Sequence, residues 1–428
     1  MQYLANILRA ILVRINIYSQ SKRWFLMSLK IKRPRGIDGE RHAILVDETG
    51  IPLFYPTLWV TVALRGGARA VNTIQNALHA IKCLYAWQAT YTIDVEQRFA
   101  GGKLLKANEV HSLRDFLQDS LKQKANQKVV SIKRKRKTVD KSTQYARMTV
   151  AAEYLEFLAR RFYPLSEEAE KQISAMVAQI KANRPIQTSK TASRERDEKH
   201  LEDSALDALE EKLRPGVEEN PFTDHSVQFR NALIFIILRV TGIRRGELLN
   251  LKVEDINFSA NYLRIVRRPD SPNDQRRYQP VVKTRERQFP LDPELVNRIY
   301  EYVTQHRSKL SAAKQHGYLF VTHKEGSHQG APISNSTFSK FIEALKGIVS
   351  TIHAHKLRHH WNYSFSNLST AKGLSPEREE KLRSYLMGWE QTSNTAAIYN
   401  RRHIKKEAAE SMLELQHKIL GKKIEKNK

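Results

Sequence analysis

Cysteine is nearly missing from this sequence: Cys83 stands alone among 428 residues. That excludes an internal disulfide framework and a cysteine-built metal cluster, and it fits a reducing compartment. In an apolar helical pattern, Cys83 reads as a small core residue. Acidic residues are scarce too, 45 Asp and Glu against 72 Lys and Arg, which leaves a formal charge of +27. An excess of that size repels itself unless a polyanion relieves it, so nucleic acid is the leading partner. No run is long and apolar enough to span a bilayer. Residues 4–18 come nearest, but Arg9 and Arg14 interrupt them and no small-residue cleavage site follows. They read as an amphipathic appendage or as a translated leader, with Met27 an alternative start. Internal repeats are absent. Core-forming material is not, since 41% of the chain is hydrophobic, enough for two domains.

Taken in order, residues 1–65 form an N-terminal extension, with short strands expected in residues 42–60 around a turn at Glu48, Thr49 and Gly50. Pro52 and Pro56 make those strands edge-like. Residues 66–183 read as a helical bundle. Ile74, Leu78, Ile81 and Tyr85 share one face of a first helix, residues 105–121 form a second, residues 142–162 a third, and residues 166–180 a fourth. Between the second and third lies an unbroken cationic run, Lys133, Arg134, Lys135, Arg136 and Lys137. A solvated loop would explain it, but the overall charge favours a segment that grips DNA phosphates. Residues 184–200 are polar and aperiodic, as a linker is. Two basic domains joined by a basic connector suggest a C-shaped clamp around a duplex.

The second domain, residues 201–403, opens with a helix and then an almost wholly apolar one (Leu233 to Leu238), which should be central and end at Gly242. Residues 262–266, 278–282 and 287–291 read as a small antiparallel sheet, residues 318–322 as a further strand, and residues 333–345 as a helix. Residues 404–428 continue as an amphipathic helix with a stripe of Ile404, Ala408, Met412, Leu415 and Ile419, able to pack on its own domain or on a neighbouring subunit. The fold class is therefore mainly α with a small antiparallel sheet.

Several side chains carry chemistry. Arg244 follows the Gly242 break, where a guanidinium can fork onto a phosphate; Glu247 would orient it, or merely pair with it at the surface. Lys283, in a turn of the small sheet, could protonate a leaving oxygen, with Arg285 and Arg287 as competitors. His355, Arg358 and His359 share one helical face. His355 and His359 could ligate zinc, but no cysteine cluster or acidic third ligand accompanies them, so no metal is expected. His353 and His360 read as bystanders. Trp389 follows Gly388, and Tyr399 lies just beyond, flanked by Arg401 and Arg402. Cations around a phenol suit a nucleophile whose target is an anion.

In this order, over residues 202–403, the motifs resemble the tyrosine recombinase (phage integrase) family. The resemblance implies Arg244 as the first catalytic arginine, Lys283 as the sheet lysine and His355 with Arg358 as the H-x-x-R box. It also implies Trp389 at the second His/Trp position, Tyr399 as nucleophile, and residues 66–183 as a core-binding domain. Expected from it is site-specific cleavage and rejoining of double-stranded DNA by a homo-tetramer, with or without a partner recombinase, in a prokaryotic cytoplasm, using neither metal nor ATP. Type IB topoisomerase-like relaxation and a non-catalytic DNA-binding regulator are the alternatives. Trp389 stands where histidine is commoner, the interval from Trp389 to Tyr399 is one residue longer than the usual pattern, and residues 368–383 look like an insertion.

Overall fold

Many of the helices start where a short polar side chain can satisfy the free backbone N–H groups of the first turn. In the computed structural model, which describes residues 28–66, 69–119, 138–164, 166–186, 201–390, 411–416 and 418, Asp94, Asp140, Ser166, Asp224, Ser334 and Ser375 all cap in this way. The chain forms two compact units, Met1–Ser193 and Arg194–Lys428.

The first unit begins with an antiparallel pair, β1 (Lys30–Lys32) and β2 (Ile44–Val46), in the register Lys30 to Val46. After β2 comes the expected turn: the Asp47 carboxylate accepts from Thr49 Oγ1, Gly50 N and Ile51 N at 2.6–2.9 Å, and Gly50 has φ +95°. The strand expected beyond it is instead α1 (Phe54–Trp59), which runs on as a wider turn through Val60–Arg65. Pro56 permits this because its missing N–H falls in the first helical turn, where none is needed. Then follow α2 (Val71–Tyr91), α3 (Val95–Ala100), α4 (Ala107–Gln118), α5 (Lys141–Phe162) and α6 (Glu167–Ala182). Leu78, Ile81, Leu113, Leu155 and Ile180 meet in one core, which also takes in Cys83. The cationic run at Lys133–Lys137 lies outside the described residues.

The second unit contains α7 (Asp203–Lys212), α8 (His225–Thr241), α9 (Arg245–Asn250), β3 (Ile256–Asn257), β4 (Tyr262–Ile265), β5 (Arg287–Pro290), α10 (Pro293–Glu301), α11 (Asn335–Leu345), α12 (Ala354–Ala371) and α13 (Pro376–Met387). As expected, α8 is central: Leu233, Ile234, Phe235, Ile237 and Leu238 are buried, and Gly242 ends it in the left-handed conformation. The sheet differs from expectation. Its order is β3-β4-β5, and Tyr278–Val282 is not a strand. Pro280 cannot donate to a ladder, and this stretch lies on α9 instead, where Asn250 Nδ2 donates to the Pro280 carbonyl at 2.5 Å. Nor is Tyr318–Thr322 a strand; it makes only isolated bridges, Lys252 to Tyr318 and Val321 to Pro332. The apparent insertion forms the end of α12 and most of α13, tied by the buried Arg383, Glu379 and Ser366. Among the described residues no helix is long and apolar enough to cross a membrane.

Candidate functional site

Three turns, far apart in sequence, meet in the second unit. The first follows α8. Gly242 is left-handed (φ +61°) and packs under Trp361, whose Cγ is 2.8 Å from where a Cβ would stand. Two residues on, Arg244 is the N-cap of α9, and its own N–H donates to Glu247 Oε2 at 2.9 Å. Glu247 is 1% exposed, so its contact with the Arg244 guanidinium, at 3.8 Å, is not a surface ion pair. Arg245 turns outward.

The second turn is the Gly388 bend at the end of α13. Gly388 is left-handed (φ +63°), and Trp389 N–H reaches back to the Ser384 carbonyl at 2.9 Å, closing the helix in a Schellman arrangement. Trp389 is 7% exposed.

Arg358, on α12 and 3% exposed, joins these two turns. Its Nη1 donates to the Gly242 carbonyl at 2.7 Å and its Nη2 to the Met387 carbonyl at 3.2 Å, while the guanidinium lies 5.5 Å from the Trp389 ring centroid. His355, one turn earlier on the same helix, is exposed, with its ring 4.3 Å from that of His359. Among the described residues no group of His, Cys, Asp and Glu comes together to hold a metal. His353 caps α12, and His360 shares a hydrogen bond with the Leu201 carbonyl at 2.9 Å.

The third piece is the connection from β4 to β5, residues 266–286. Lys283 is on this long excursion, not in a turn between two strands of the sheet as expected, because residues 278–282 join α9 rather than the sheet. A buried pair holds the excursion in place: Arg276 bonds Asp274 at 2.8 Å and donates to the Leu249 and Ile333 carbonyls. Lys283 is exposed, while its neighbours are clamped. Thr284 donates its hydroxyl to Glu247, and Arg285 N–H donates to the Gly388 carbonyl at 3.0 Å. Gly246 rests on the Val281 backbone, whose carbonyl carbon is 3.2 Å from where a Cβ would be. Lys283 therefore lies within a segment bound to both other turns.

Arg287, earlier a competitor of Lys283, is buried instead. Its Nη2 pairs with Glu247 Oε2 at 3.0 Å and its Nε donates to the Leu386 carbonyl at 2.6 Å. Burial pushes the Glu247 carboxyl up, but Arg287, then Arg358 and the Thr284 hydroxyl, pull it down further, so it stays below the ordinary carboxylate range. Thr284, Gly246 and Gly388 were not read as site residues from sequence, and Arg287 only as a competitor of Lys283; an R-x-x-E turn offers no local sign of which distant cation will meet its acid. Tyr399, Arg401 and Arg402 lie outside the described residues. What the described groups offer is a junction rich in guanidinium and N–H donors with one ionised acid buried beneath it, suited to a phosphoryl anion.

Comparison with known proteins agrees in part. Residues 217–406 match the model of the phage integrase family. A tyrosine recombinase XerD from Halalkalibacterium halodurans is 26% identical over 133 residues, 30% of this chain and 38% of the relative, so this chain spans well under half of that protein's length. Among solved structures, XerH site-specific recombinase bound to difH substrate aligns over 83% of both chains at 16% identity and a TM-score of 0.48. The Tn1549 transposon integrase in complex with transposon right end DNA aligns over 83% of this chain and 100% of its own, at 15% identity and a TM-score of 0.46.

Proposed function

We propose, starting from the match of residues 217–406 to the phage integrase family, that this chain is a site-specific DNA recombinase that cleaves and rejoins strands through a 3′-phosphotyrosyl link. The observation that carries the reading is the Arg358 staple, which ties the turn before Arg244 to the turn bearing Trp389. A phosphodiester repels nucleophiles, and attack on it builds charge on the non-bridging oxygens. Arg244 and Arg358 neutralise that charge, and the Trp389 indole N–H donates to it. His355 accepts the Tyr399 phenol proton as the phenolate oxygen bonds to phosphorus. The bond to the 5′-oxygen breaks, and Lys283 protonates that oxygen as it leaves. Reversal with another 5′-hydroxyl rejoins the strand with no external energy source.

In this reading residues 66–183 form a helical domain on the duplex, Lys133–Lys137 neutralise phosphates, and residues 201–403 do the chemistry at a specific site in a nucleoid. Exchange of strands between two sites calls for a homo-tetramer, in which residues 404–428 dock on a neighbour. The test is Tyr399→Phe with a nicked suicide substrate. The variant should bind DNA as the parent does and trap none of it covalently; covalent trapping by the variant would overturn the assignment of the nucleophile. Relaxation of any plasmid, with no preferred site, would replace the recombinase by a topoisomerase-like activity.

A further inference from the structure

Arg287 reaches no solvent: its side chain is 1% exposed, and that of Glu247 is 0% exposed. Every nitrogen of the guanidinium has a partner. Nη2 faces Glu247 Oε2 at 3.0 Å, Nη1 lies 3.4 Å from Glu247 Oε1 and 3.2 Å from Thr284 Oγ1, and Nε holds the Leu386 carbonyl at 2.6 Å. The same Nη1 stands 2.8 Å from where a Cβ on Gly388 would be. So buried and so held, Arg287 does not reach a phosphate, although it is a cation only four residues from Lys283.

From this we infer that Arg287 is a positioning residue: through Glu247 it fixes the Arg244 turn, and through Leu386 and Gly388 it fixes the Trp389 turn, setting the phosphate-binding groups before DNA arrives. The inference rests on the recombinase reading and deepens it. A buried ion pair is a poor way to gain stability, since well-packed apolar groups of the same volume do as well or better. What apolar groups lack is direction. A carboxylate accepting from Arg244 N, Thr284 Oγ1 and Arg287 at once allows one orientation of α9. A guanidinium that also donates to a carbonyl at residue 386 places α13 relative to it. Donors held in advance need no rearrangement as charge develops on the phosphate, which is how such groups lower a barrier. Arg358 makes the parallel link on the other side of the two turns, through the Gly242 and Met387 carbonyls. The pair of arginines therefore brackets the junction, Arg358 close to the reacting phosphate and Arg287 behind it.

The experiment compares the full-length parent with Arg287→Met, Arg287→Lys and the double variant Glu247→Gln with Arg287→Met. Three quantities are read: melting temperature, affinity for a DNA site and the single-turnover rate of covalent complex formation on a suicide substrate. If Arg287 positions the site, Arg287→Met keeps DNA affinity within about threefold and slows covalent complex formation about 100-fold, the usual effect of misplacing reacting groups by an ångström. The double variant regains melting temperature, because no buried charge is left alone, and stays slow. Arg287→Lys pairs with Glu247 but lacks the fork to hold residue 386, so it too melts near the parent and cleaves slowly. A rate that recovers whenever the melting temperature recovers would overturn the inference and leave Arg287 a purely structural residue. A parent that binds DNA and never forms the covalent link would sink the recombinase reading instead, and this inference with it.

Discussion

Gly388 and Gly373 form an internal comparison that tests how tightly the Trp389 turn is seated. Both follow helices in the second unit, and both have φ +63°. An alanine at either position must adopt a left-handed backbone, at a cost of about 1–2 kcal/mol. At Gly373 nothing lies within 4 Å of the added Cβ, so that is the whole cost. At Gly388 the Cβ would lie 2.8 Å from Arg287 Nη1, 2.9 Å from Thr284 Cβ and 3.0 Å from the Arg285 carbonyl oxygen. None can yield freely: the guanidinium is held by Glu247, and the other two are at or next to the backbone of a clamped loop. Overpacking of this kind adds about 1–3 kcal/mol. With roughly 2–4 °C per kcal/mol for a unit of this size, Gly373→Ala should lower the melting temperature by about 2–8 °C and Gly388→Ala by about 4–20 °C. Covalent trapping of a suicide substrate below both transitions should be at the parent rate for Gly373→Ala and about 100-fold slower for Gly388→Ala, whose Trp389 is displaced. Equal melting of the two variants, or parent-like trapping by Gly388→Ala, would refute the seating of this turn on the Lys283 loop.

Two further predictions use charge. Burial, aided by Arg230 and to a smaller extent by His306, lowers the His323 pKa from the ordinary 6.5 to about 4, against a smaller effect of Asp224. Between pH 4 and 6.5 the unfolded chain then binds more protons than the folded one, so stability rises with pH across that window and is lost on acidification, by about 3 kcal/mol in all. Urea melts at pH 7 and pH 4.5 should show a smaller difference for His323→Gln than for the parent; an equal difference would assign the acid sensitivity elsewhere. Glu247 acts lower down, its contribution being present above its unfolded value of 4.5 and fading as pH falls through its depressed folded one. For the cationic run, alanine at Lys133, Arg134, Lys135, Arg136 and Lys137 together should flatten the slope of log affinity against log salt by about 4 if the segment neutralises phosphates. An unchanged slope would make it a solvated loop.

Much was already readable from local pattern. Helical patterning marked α2, α4, α5 and α6 because a turn of helix is a matter between residues three and four apart, and an almost wholly apolar run marked α8. The same locality set His355, Arg358 and His359 on one face, and let Gly242 end α8 just before Arg244. Where local signals compete, the reading failed. Residues 54–65 carry apolar and aromatic residues that suit a strand, yet Pro56 and Trp59 are buried as parts of a helix. Residues 278–282 have strand-like composition, but their backbone is taken up by α9.

By itself, then, the sequence determined most of the helices, the basic character, and a set of candidate residues for phosphoryl chemistry, all of which depend on composition and near neighbours. Tertiary structure alone decided which cation serves which purpose. Arg287 and Lys283 are four residues apart and chemically alike as charges, yet one is sealed against Glu247 and the other is exposed. That division follows from contacts spanning 40 residues to Glu247, 99 to Leu386 and, for Arg358, 116 to Gly242. No pattern within a helix turn encodes such pairings; they exist only once the chain has closed on itself and each buried charge has had to find its partner.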